Sequence, residues 1–219
     1  MIGLFALAAS VSFGQIRRGN NVIIQPQIGI FGGLSVSNQW ESNDGYSQSD
    51  DAIAGGIAGI QLALPISYGW YIQPEVTYTN MGTKYYQDAS SDDDYGGGVK
   101  LRMNYLNVPI LFKYQEPFTG VGIFFGPQYG YLLSAHTYPT SYPKPDITSV
   151  DVKDGYHKNE LSGLVGLEYY FPNNGRPGPK FGFSARYQFG ITNVLNNDYY
   201  QTDGSIRNNA FFLTAGIRF

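Results

Sequence analysis

Cysteine is absent from the 219 residues, which removes disulfide scaffolds, thiolate metal sites and cysteine nucleophiles together. Charge is scarce: 14% of the residues are Asp, Glu, Lys or Arg, against about 25% in ordinary soluble domains. The balance is slightly acidic, at a net −3, so the basic stripe that nucleic acid requires is missing and no nucleic-acid partner is expected. Long apolar runs are missing too. Mean hydropathy is −0.23, and residues 15–219 nowhere offer the roughly 20 consecutive apolar residues of a spanning helix. That excludes a helical membrane protein but leaves a barrel open, because every second residue of a barrel strand faces the lumen and dilutes the average.

The one short apolar run, Phe5 to Phe13, is followed by Gly14 and is too short to span a bilayer. Small residues at the two positions a signal peptidase reads assign 1–14 to a cleaved secretory leader. Met1-Ile2-Gly3-Leu4 lacks the usual basic residues, so the true start codon is expected a few residues upstream. The remainder, 15–219, has the length of one domain. It is rich in glycine (28), tyrosine (19) and phenylalanine (14), which suit tightly curved strands and rings at water–lipid boundaries.

Period-two alternation recurs about eight times with no helical pattern between the segments. The last segment, Asn209–Phe219, sets Phe211, Leu213, Ala215, Ile217 and Phe219 against Phe212, Thr214, Gly216 and Arg218. The others run over about Gln25–Val36, Ile53–Leu64, Trp70–Met81, Leu101–Tyr114, Val121–Ser134, Lys158–Phe171 and Lys180–Asn193. In the third, Trp70, Ile72, Pro74, Val76 and Tyr78 face out while Gln73, Glu75, Thr77 and Thr79 face in. Short turns at Pro65–Gly69, Gln115–Gly120 and Pro172–Pro179 alternate with long polar connections at about 37–52, 82–100, 135–157 and 194–208. An even strand number with this alternation predicts an all-β, eight-stranded antiparallel up-and-down transmembrane barrel in a Gram-negative outer membrane, its long loops outside the cell.

Tyr105-Leu106-Asn-Val-Pro109-Ile-Leu-Phe-Lys-Tyr114, Arg186-Tyr187-Gln-Phe-Gly190-Ile-Thr-Asn193 and the terminal Phe219 together resemble the PorT-like outer-membrane β-barrel family. The resemblance runs along the whole of 15–219. It implies an eight-stranded outer-membrane barrel; the namesake is implicated in protein export, a role confined to a narrow subset and not carried over. For such a barrel the expected partners are outer-membrane lipid and lipopolysaccharide, and the barrel assembly machinery acting through the C-terminal strand.

The sharpest constellation is a set of inward charges, Glu75, Glu160 and Glu168 against Lys113, Arg186 and Arg218. An eight-stranded interior has just enough room for side chains, so a paired polar core that plugs the lumen outweighs a gated channel or proton path. Glu160 and Glu168 lie eight residues apart on one strand, about 26 Å at strand rise, far beyond the carboxylate spacing of a glycosidase. His136 and His157 lie near Ser134, Ser141, Ser149 and Asp151, but no hydrolase motif accompanies them, and no catalytic residue is assigned. Asp92-Asp93-Asp94 and Asp50-Asp51 lack calcium-loop spacing; no metal or cofactor is expected. Lys100 and Arg102, just above the fourth membrane segment, are candidates to touch lipid phosphates.

The expected function is that of a non-enzymatic structural or interaction protein with a filled lumen. Its partner would meet the loop aromatics Trp40, Tyr46, Tyr85, Tyr86, Tyr95, Tyr138, Tyr142, Tyr199 and Tyr200. Transport, as a narrow pore or an accessory of protein export, is the second reading. An outer-membrane lipid or peptide hydrolase is the third.

Overall fold

Eight long strands run up and down in sequence: β1 (Gln27–Asn43), β2 (Asp51–Ser67), β3 (Trp70–Gln87), β4 (Gly97–Gln115), β5 (Val121–Pro139), β6 (Asn159–Tyr170), β7 (Lys180–Gly190) and β8 (Ser205–Arg218). Each is antiparallel to its neighbours, and β8 returns to β1 with Arg218 opposite Gly29, closing the ring. The closed ladder leaves no sheet edge, so the backbone is satisfied without water, as a lipid environment demands. This computed structural model describes residues 16–17, 23–24, 26–43, 46–49, 51–87, 97–139, 149–172, 178–200 and 203–219. The expected leader 1–14, Asp50, Asp92–Asp94, Tyr95, Ser141 and Tyr142 lie outside the described residues.

The alternation decides the two faces. Ile28, Ile30, Leu34 and Val36 of β1, Leu106, Val108, Ile110 and Phe112 of β4 and Phe181, Phe183, Tyr187 and Phe189 of β7 are exposed on the outer wall. Their neighbours Phe31, Ser35, Asn107, Leu111, Lys113, Ser184, Arg186 and Gln188 are buried inside. Gly163 is an outward position that is nevertheless buried, because the Phe189 ring lies over it; a Cβ there would meet Phe189 Cζ at 2.2 Å. At the turn end a ring of aromatics marks the boundary of the apolar wall: Trp70 packs on Tyr114 at 5.1 Å, and Phe171 packs edge-on against Tyr169 and Phe183.

The strands reach further toward the loop end than the hydrophobic pattern indicates. β1 continues to Asn43, β3 to Gln87 and β5 to Pro139, β4 begins at Gly97, and β8 begins at Ser205 rather than Asn209. Above the apolar band the outward residues turn polar, so the alternation fades while the backbone ladder continues. Three irregularities also shift the register, between Ala52 and Ile57 and between Pro65 and Ser67 of β2 and at the Asn104/Tyr105 step against β5. Strand β7 is shorter than its pattern, ending at Gly190 rather than Asn193. There Asn193 turns the chain, its Oδ1 accepting from Leu195 N and Ile206 N.

Candidate functional site

The lumen holds two polar clusters. Toward the turn end, Arg186 Nη1 donates to Glu75 Oε2 at 2.6 Å and its Nε to Ser184 Oγ at 3.0 Å. Gln73 Nε2 donates to Glu75 Oε1 at 2.7 Å, and Gln73 Oε1 accepts from Lys113 Nζ at 2.7 Å. Arg218 grips Glu168 with both ends of its fork, at 2.9 and 2.6 Å, and Lys113 Nζ stands 3.3 Å from the same carboxylate. The guanidiniums also stack, Arg218 at 3.7 Å over the Tyr170 ring and Arg186 at 4.2 Å over Phe31. Three cations thus meet two carboxylates, all of them buried.

Glu160 stands apart from this group. Its oxygens accept from Asn208 Nδ2 at 2.9 Å and Gln188 Nε2 at 3.4 Å. Those amides extend the second cluster through Tyr105, Gln39, Gln128 and Ser162. Among the described residues the ion pairs join Glu75 and Glu168 to the three inward cations and do not include Glu160. On β6, Leu164 and Gly166 separate Glu160 from Glu168, and the Phe124 ring fills the space a side chain at Gly166 would take. Tyr85, expected as an exposed loop aromatic, belongs to this interior: it lies on β3 and its hydroxyl donates to Gln39 Oε1.

The loop end is roofed. A short 3₁₀ turn, Lys153–Gly155, and the segment after β7 meet across the mouth, with Tyr156 bridged to Leu195. His157 N donates to Val194 O, Asn196 N to Gly155 O and Val194 N to Ile206 O. Tyr156, Val194 and Leu195 are buried against Leu101, Met103, Leu132 and Ile206. The Tyr200 ring lies on Gly155, where a Cβ would meet its hydroxyl at 2.4 Å. The roof residues fall within the long connections, whose polar composition does not predict a packed roof; the apolar Val194-Leu195 pair amid Asn residues is the available signal.

Among the described residues the two histidines do not meet in one cluster with the serines near them in sequence. His136 sits on β5 opposite Asp151, His157 is exposed, and Ser134 Oγ accepts from Asn104 Nδ2 instead of facing either. Among the described residues no three potential metal ligands cluster. Of the loop aromatics, Tyr199 and Tyr200 are exposed on the roof, while Trp40 and Tyr138 are exposed on the walls of β1 and β5. Tyr46 and Tyr86 lie within strands, so neither is a free loop residue. Lys100 and Arg102 stand on β4 above its apolar residues. The motif residues serve both faces: Tyr105, Pro109 and Arg186 are buried inside, Leu106, Tyr187 and Phe219 lie outside, and Gly190 ends β7.

Among solved structures, neisserial surface protein A is 14% identical with a TM-score of 0.44, over 86% of this chain and 95% of its own. Ail of Yersinia pestis is 17% identical with a TM-score of 0.40, over 90% and 100%. OprG of Pseudomonas aeruginosa is 12% identical with a TM-score of 0.42, over 88% and 95%. Likenesses this remote carry no functional argument. The comparison with curated proteins found no match. The profile of the outer membrane protein beta-barrel domain matches residues 13–196, most of the chain. The protein therefore belongs to the outer membrane protein beta-barrel domain family and resides in the outer membrane.

Proposed function

We propose that this chain is a non-enzymatic outer-membrane protein that acts structurally or as an interaction module through its roofed loop end, not as a pore. The observation that supports this reading is the double closure: a lumen packed with Phe31, Leu111, Phe124, Leu164 and Phe212 around its ion pairs, beneath a roof of Tyr156, Val194 and Leu195. A closed interior puts the chemistry on the surface, and short turns on the other side orient the roof to the cell exterior. There the Tyr199 and Tyr200 rings pack edge to face at 5.0 Å, offering a rigid amphipathic contact of the kind enriched at protein interfaces. The finer likeness to PorT-like proteins is part of this proposal for its fold only. The β8 strand, with Phe211, Leu213 and Phe219 exposed outward, is the segment we assign to the barrel assembly machinery.

Planar-bilayer recording of the refolded protein tests the reading. No steady conductance is expected. Stable channels of uniform size would overturn it and promote the transport alternative.

A further inference from the structure

The outer wall of β3, β4 and β5 is apolar up to Tyr78, Leu106 and Leu133, and it changes character within one residue pair. Asn80 faces Asn104, and Asn104 faces Ser134. One step higher Arg102 lies opposite His136, and above that Lys84 lies directly opposite Lys100. All alternate with the buried Thr83, Leu101 and Met103, so they share the outward face. Adjacent strands are about 4.8 Å apart, which gathers these cations into a patch on the order of 10–15 Å across. Lys153 anchors the next edge, its Nζ donating to Leu133 O at 2.8 Å.

The patch is organised. Arg102 Nη1 donates to Asn80 Oδ1, Asn80 Nδ2 to Asn104 Oδ1 at 2.7 Å, and Asn104 Nδ2 to Ser134 Oγ at 2.8 Å. Like charges set directly opposite each other on neighbouring strands destabilise a sheet. Burial, then Arg102 and Lys84, push the Lys100 ammonium below its ordinary range. Asp51 stands opposite Lys84 and Asp151 opposite His136, but neither neighbouring strand sets a carboxylate opposite Lys100 or Arg102. At the top of the β1–β8 wall, by contrast, Arg207 faces Trp40 and Asn209 faces Asn38.

We propose that this sector is a lateral binding site for the phosphate-bearing headgroup of an outer-leaflet glycolipid, with Lys100 and Arg102 as donors and Asn80 aligning the Arg102 fork. A guanidinium fork matches phosphate oxygens in geometry as well as charge. The site lies flush against Tyr78, Leu106 and Leu133, so its ligand must carry acyl chains beside them as well as phosphate above; a free anion satisfies only half of it. The site is on the barrel wall and is independent of the roof.

Binding of phosphorylated lipid A to the full chain in detergent micelles, measured by native mass spectrometry, tests the assignment. The K100Q/R102Q variant is expected to bind at least tenfold more weakly, R207Q to bind like the wild type, and N80A to fall in between. Dephosphorylated lipid A and phosphatidylglycerol should bind the wild type weakly, an arm that needs no variant, and millimolar inorganic phosphate should not displace the glycolipid. Unchanged binding by K100Q/R102Q, equal binding of either control lipid, or displacement by inorganic phosphate would each overturn it.

Discussion

Glu75 and Glu160 are both buried carboxylates on the lumen face, yet their neighbours give them opposite consequences. Glu75 is held by a guanidinium at 2.6 Å, so Arg186→Ala leaves a carboxylate in a dry interior and is expected to cost about 3–5 kcal/mol. The urea midpoint of the variant in detergent checks this; a wild-type midpoint would mean that the pairing contributes nothing. Glu160 instead accepts from amides, at 2.9 Å from Asn208, with no cation in its cluster to lose. Glu160→Gln removes that charge at nearly constant volume, and its expected cost is below about 1.5 kcal/mol, the scale of one neutral hydrogen bond. If the two substitutions lower the midpoint equally, the division of the lumen into two clusters is wrong. Alternation along each strand was enough to put all six charged residues inside. It could not say which of them meet, because strand tilt and register set their heights, and those appear only once the ladder is assembled.

At the scale of elements, the β4–β5 turn shows local chemistry legible in sequence. Gly120 adopts φ 79°, and a Cβ there would meet Tyr170 O at 2.0 Å, so Gly120→Ala is expected to cost about 1–3 kcal/mol. The Glu116 carboxylate accepts from Phe118 N at 3.0 Å and also from Thr119 N. Thr119, through side-chain and backbone hydrogen bonds, holds the Glu116 carboxyl below its ordinary range. A depressed folded value means the turn's order is present above the ordinary carboxylate pKa and is lost as pH falls through the lowered one. Amide shifts of Phe118 and Thr119 should therefore stay constant at neutral pH and move together only in acid, and Glu116→Gln should abolish that transition. The turns were readable because Gly, Pro and Asn impose their own backbone angles. The loop ends of the strands were not, since Asn80, Asn104, Ser134 and His136 break the apolar alternation exactly where hydrogen-bonded pairing continues, and a one-residue irregularity on β5 moves His136 to the outer wall.

For the whole molecule the question is what keeps the barrel shut, the roof or the filling. The roof is tied down by backbone bonds from His157, Asn196 and Val194 and by the burial of Leu195. The filling is held by ion pairs at 2.6 Å and by the Phe124 ring wedged on Gly166. In an eight-stranded barrel the interior width admits side chains and no continuous water column, so the filling alone suffices. Leu195→Asp, which puts a charge beneath the roof, is expected to speed hydrogen exchange at the Gly155 and Asn196 amides. The heat-modifiable migration in SDS and the lack of conductance expected of the wild type should both be retained, because the closed backbone ladder and the packed lumen are untouched. Should the variant conduct in a planar bilayer while remaining folded, the roof is a gate over a usable path, and the interior must be looser than its pairing implies.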